Sequence, residues 1–220
     1  MGPVKRVITT RDLMEKGVIS WLNVKTVILN YNHNDCQDVK GFDYQKEVDW
    51  LVTHEKRMDF IARLALSQKK NTIILFQYID KQGKPLYDKI CQMNNDENRP
   101  VFYISGEIET QERERIRKIM EREENVILVA SSGTMSTGTN ILNLHSVIFA
   151  SSGKSIIKVL QSIGRALRKH DSKDCAVVYD IADNLSVGGH MNYGMKHFKE
   201  RQLYYKEEQF PTTTKQIKIT

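Results

Sequence analysis

Two arginines, Arg165 and Arg168, close the run Gln161-Ser162-Ile163-Gly164-Arg165-Ala166-Leu167-Arg168. Residues 155–169 have the pattern of a helix that follows an apolar strand ending near Ala150. Side chains three apart share a helix face, so both guanidinium groups can reach one anion. They stay charged and offer a planar fork of donors, which suits a phosphoryl group. An arginine presented from a facing surface to a γ-phosphate stabilises the charge that develops during transfer. The plainer alternative is a basic amphipathic helix turned toward solvent or nucleic acid.

Other runs have the composition of anion-binding loops. Ser131-Ser132-Gly133-Thr134-Met135-Ser136-Thr137-Gly138-Thr139-Asn140 directly follows an apolar run. Its small hydroxyl residues and glycines let backbone amides come close to a phosphate; without context it is equally an ordinary polar loop. Phe76-Gln77 and Ser105-Gly106-Glu107 each close another apolar run, and Ser105-Gly106 reads as readily as a turn opening a helix. Gly153-Lys154-Ser155 is not a phosphate cradle. That motif needs a glycine five positions before the second one, where this chain has Ile148 inside a strand pattern. Lys154 is then a nucleic-acid contact or a solvated charge. No D-E-x-[DH] box occurs. His33, His54, His145, His170, His190 and His197 show no ligand spacing, and Cys36, Cys91 and Cys175 are far apart. Neither a metal site nor a disulfide framework is expected, and a reducing, cytoplasmic compartment is the simplest setting.

These residues need a scaffold, and the hydrophobic pattern predicts one. Strands are expected over 72–76, 101–104, 126–130, 146–150 and 176–180, with helices over 84–93, 110–124 and 155–169 between them. Alternation at this spacing implies βαβ units and a parallel β-sheet flanked by helices, an α/β fold. Function then collects at the loops leaving the carboxyl ends of the strands. The first 70 residues read differently: a short helix over 10–16 stopped by Gly17, a strand over 24–31, and a polar loop over 32–41. A long helix follows over 44–67, breaking near Thr53-His54. Trp21 and Trp50 are expected as core anchors. Residues 190–208 read as a helix and 212–220 as a β-like or loose tail. The division is therefore an N-terminal arm or linker packing on the core (1–70), the α/β domain (71–185), and a C-terminal helix and tail (186–220).

Composition sets the outer bounds. The 220 residues, 40% hydrophobic and 27% charged, describe a globular chain with no apolar run near the ~20 residues of a membrane span and no signal-peptide core. A formal net charge of +6 leans toward a polyanionic partner. Lys154, Lys158, Arg165, Arg168, Lys169, His170 and Lys173 crowd around the arginine pair, while Glu121, Glu123 and Glu124 lie elsewhere.

The order Q-x-x-G-R-x-x-R over 161–168 resembles motif VI of superfamily 2 helicases, and 131–140 resembles their motif V. Tyr44-Gln45-Lys46-Glu47-Val48, the 56–66 helix, Tyr103 to Glu107, 129–138 and 160–170 follow in the order found in the recombination helicases of T-even phages. The resemblance implies a RecA-like second motor domain of an ATP-dependent helicase acting on branched DNA: forks, junctions, D-loops or R-loops, with RNA a partner in hybrids. It implies catalytic roles for Arg165 and Arg168, with Arg168 as the arginine finger. Gln161, Gly138 and Asn140 would contact ATP; relatives often carry Asp where Asn140 stands, which weakens that assignment. Phe76, Gln77, Ser105, Gly106, Ser131, Ser132, Thr134 and Lys154 would lie along the nucleic acid. ATP with Mg2+ is the expected nucleotide, the metal being held by a first RecA-like domain that this chain lacks. Alone, the chain is expected not to hydrolyse ATP. The alternative is a stand-alone DNA-binding or strand-annealing module without ATP chemistry.

Overall fold

A computed structural model describes residues 10–17, 20–136, 143–151, 153 and 175–219. The predicted helix over 155–169 lies outside them. Seven strands form one sheet: β1 (Trp21–Asn30), β2 (Thr72–Phe76), β3 (Val101–Ile104), β4 (Ile127–Ser131), β5 (Ser146–Phe149), β6 (Cys175–Asn184) and β7 (Thr212–Lys218). The spatial order is β3-β4-β2-β5-β6-β1-β7, and every pairing is parallel.

Burial on both faces explains the near-continuous apolar strands. All five residues of β2 are buried. On one face Ile73, Leu75, Leu128, Val147 and Val178 meet Met14 of α1 (Thr10–Glu15) and Ile116 and Met120 of α6 (Thr110–Arg122). On the other, Ile74, Phe76, Ile127, Val129 and Ile148 meet α3 (Tyr44–Thr53), α4 (Glu55–Leu66) and α5 (Lys84–Met93). The expected strands and the helices at 84–93 and 110–124 are all present, three of them to the residue and the others with ends moved by a residue or two. β6 is the exception and runs to Asn184.

Two expectations give way. The polar stretch 32–41 is not a loop but contains α2 (His33–Val39). Asn32 caps it, accepting from the Asp35 N–H at 2.9 Å, and Cys36 and Val39 are buried on its inner face. Turn-forming residues are also good N-caps, so a polar run can start a helix. Trp21 is 38% exposed at the start of β1 and anchors no core, whereas Trp50 packs against Tyr31 and His54 at centroid distances of 5.5 and 4.6 Å. His54 ends α3 and caps α4, its Nδ1 accepting from the Arg57 N–H at 3.2 Å. That is the expected break in the long helix. The sheet draws on all three expected segments: β1 belongs to residues 1–70 and β7 to residues 186–220. Residues 193–207 form the last helix, α8 (Tyr193–Glu207).

Candidate nucleotide and nucleic-acid site

The chain leaves β2 toward β3 on one side of the sheet and β5 toward β6 on the other, yet β2 and β5 are neighbours. Loops that depart in opposite directions from adjacent parallel strands open a crevice at their carboxyl ends. A single π-turn (Ile79–Gly83) follows β2, closed by the Gly83 N–H donating to the Tyr78 carbonyl at 2.9 Å. It turns Gln82 inward, where the side chain is 3% exposed. Gln82 Oε1 accepts from the Gln77 N–H at 3.1 Å and from Ser151 Oγ at 2.9 Å, and its Nε2 donates to the Ala150 carbonyl at 2.8 Å. One amide thus ties the end of β2 to the first residues after β5.

Behind it lies a buried ion pair. Arg57 Nε and Nη2 donate to the two carboxylate oxygens of Asp183 at 2.8 and 3.0 Å, and Nη1 donates to the same Ala150 carbonyl at 2.9 Å. Tyr31 Oη donates to Asp183 at 2.7 Å. Burial and the Asp183 charge push the Tyr31 phenol well above its ordinary pKa. Burial works against the Arg57 charge, but Asp183 and Tyr31 together outweigh it and hold the guanidinium pKa above its ordinary value. His54, beside this group, is held below the usual imidazole pKa chiefly by burial. On the opposite face Arg201 Nε bonds both oxygens of Asp180 at 3.1 and 3.0 Å, and Tyr205 Oη donates to it at 2.9 Å.

The expected nucleic-acid residues divide into two kinds. Gln77, Gly106 and Gly133 are exposed at the ends of β2, β3 and β4, and Ser131 and Ser132 are half-buried. The side chains of Phe76, Ser105 and Thr134 are buried instead. The Phe76 ring stacks on Tyr103 at 5.5 Å, and Ser105 Oγ accepts from the Glu107 N–H at 3.3 Å in a tight turn. Thr134 Oγ1 meets Ser131 Oγ at 2.6 Å, shaping the short helix α7 (Ser132–Ser136). These three shape the loops rather than offer surface. Gly138, Asn140, Lys154, Gln161, Arg165 and Arg168 lie outside the described residues. Among the described residues no cluster of three or more His, Cys, Asp or Glu side chains could hold a metal ion, and no helix is long and apolar enough to cross a membrane.

Sequence reasoning missed Gln82, Arg57 and Asp183. A carboxylate three residues beyond Asp180, after Ile181-Ala182, was the available signal, since charge in an apolar strand requires a buried partner.

The family model for the helicase conserved C-terminal domain matches residues 55–170. The ATP-dependent DNA helicase UvsW of Enterobacteria phage T4 is 36% identical over 99% of this chain. A putative ATP-dependent helicase of Saccharomyces cerevisiae is 30% identical over 83% of it. The chain spans 45% and 27% of the lengths of these two proteins. The crystal structure of T4 UvsW superposes with a TM-score of 0.79 at 32% identity, covering 97% of this chain and 43% of that one. The C-terminal domain of the DEAD-box protein Dbp5 shares the fold, with a TM-score of 0.54 at 13% identity over 92% of each chain. A parallel sheet whose chain direction reverses between β2 and β5, the matching domain model and the UvsW likeness lead to one conclusion: this chain belongs to the superfamily 2 helicases, as their conserved C-terminal, RecA-like domain.

Proposed function

We propose that the chain is the C-terminal motor domain of an ATP-dependent DNA helicase that acts on branched DNA. The observation that carries this reading is the Gln82 junction. It links Gln77, on the side expected to meet nucleic acid, to Ala150 and Ser151. From there the chain runs on toward Gln161, Arg165 and Arg168. Nucleic-acid contacts then come from Gln77, Gly106 and the residue 131–134 turn, mainly to phosphates and so with little sequence preference. Gln161, Gly138 and Asn140 hold the nucleotide, Arg165 and Arg168 face its phosphates, and Arg168 is the finger. ATP with Mg2+ supplies the phosphoryl group whose transfer drives stepping; its metal ligands and water-orienting base come from a first RecA-like domain.

Hydrolysis is the test. The chain alone should show no turnover with or without forked DNA. Joined with its first RecA-like domain it should turn over ATP in a DNA-stimulated manner. Arg168→Ala in that two-domain protein should cut hydrolysis by roughly 10³-fold while ATP binding survives. Near-normal turnover would remove Arg168 from the finger role. A two-domain protein that binds DNA but never hydrolyses ATP would favour an annealing module.

A further inference from the structure

A second cavity, of about 670 Å³, lies at the other edge of the sheet, between α4 and strands β6, β1 and β7. Its size is ordinary for a ligand site. The parallel register sets Tyr179, Lys25 and Thr213 in one transverse row across the three strands. α4 forms the facing wall with Phe60, Arg63 and Leu64, and Lys215 stands two residues further along β7. The rings of Phe60 and Tyr179 are half-buried, and Lys25, Arg63 and Lys215 are exposed. Lys25 Nζ sits 5.5 Å over the Tyr179 ring, whose hydroxyl donates to Gln68 Oε1 at 3.0 Å and so holds the ring in place.

The charge is one-sided. No acidic residue is among the described residues lining the cavity. Elsewhere on this face several cations have acidic partners: Lys81 pairs with Asp49 at 3.1 Å, Lys84 with Asp80 at 2.8 Å and Lys89 with Asp59 at 2.7 Å. The cavity therefore combines the positive charges of Lys25, Arg63 and Lys215, the Thr213 hydroxyl, and one aromatic ring on each wall, Tyr179 on the sheet and Phe60 on α4. An acidic peptide would satisfy the charges alone. A single strand of nucleic acid satisfies all three features, with phosphates on the cations and the Thr213 hydroxyl and a base against the Phe60 ring. We propose that this cavity is a second nucleic-acid contact, which holds a single-stranded segment away from the strand-exit loops. The proposal takes the class of polyanion from the function proposed above, but its site shares no residue with that one. A domain that grips two segments at once is suited to substrates with more than one arm.

Backbone amide NMR of the chain, titrated with oligothymidylate at low salt, separates the two sites. Saturable shifts at Lys25, Arg63, Tyr179 and Thr213 are expected, together with shifts at Gln77, Gly106 and Ser132. The exposed double variant Arg63→Glu/Lys215→Glu should weaken binding read at Lys25 and Tyr179 by about tenfold or more, as lost phosphate contacts do. Binding read at Gln77 should be unchanged. Shifts at the strand-exit residues with none at the cavity would overturn this proposal and leave the functional reading standing. Shifts at the cavity alone would support the cavity and count against the strand-exit surface. Silence at both would overturn both. Equal cavity shifts with polyglutamate of the same charge would overturn the nucleic-acid assignment.

Discussion

Among single residues Arg57 is heavily committed. Its guanidinium is buried at 2% exposure, holds both oxygens of Asp183 and caps the Ala150 carbonyl. Removing one partner of a buried pair leaves the other charged without water or counter-charge, which costs about 3–5 kcal/mol. Arg57→Ala should lower the unfolding free energy by that amount in urea denaturation. Replacing both partners by apolar residues, as in Arg57→Met/Asp183→Leu, should cost clearly less, because no bare charge remains. Equal losses in the two variants would show that packing, not charge, dominates. Nothing in the local sequence pairs Arg57 with Asp183: the partners are distant in the chain, and periodicity reports only neighbours on one element.

Among elements, the π-turn after β2 does what an ordinary helical start could not. One extra residue per turn carries Gln82 inward and leaves Gly83 beneath the Phe76 ring. A Cβ built on Gly83 would lie 2.5 Å from Phe76 Cε2. Aromatic atoms that close must move, and overpacking of this kind costs about 1–3 kcal/mol. Gly83→Ala should therefore lower the melting temperature and release Gln82 from Ala150 and Ser151. The check is a thermal melt, with amide exchange read at Gln77 as the loss of its bond to Gln82; an unchanged melt would mean the ring yields freely. α5, β2 and β3 were legible to the residue because their apolar runs are short and bounded. The π-turn was not, since Ile79-Asp80-Lys81-Gln82-Gly83 carries no periodic signal. α2 was hidden because Asn32 and Asp35 suit a turn as well as a cap.

For the whole molecule, the reading rests on phosphate contacts by a chain of net charge +6. Each neutralised phosphate releases counterions, so affinity falls on a log–log scale with salt. With roughly six contacts the drop between 50 and 200 mM salt is about 10³-fold. Fluorescence anisotropy of this chain with labelled single-stranded DNA should show that slope, and a flat response would count against a phosphate-tracking surface. The fold class was legible from the alternation of strands and helices, and the family from the spacing of the motif residues. The width of the sheet was not, because β1 and β7 join it by pairings that span most of the chain.

The position of β1 also governs how the protein is made. It is synthesised well before both strands that flank it, β6 and β7. At about 5–20 residues per second, roughly 7 to 30 s pass before β6 can pair with it. During that interval ten residues of strand, Trp21 to Asn30, expose two hydrogen-bonding edges and an apolar face. The nascent chain is thus a client for whatever shields extended segments in the cell, and a chain halted before Cys175 would display β1 with no partner at all.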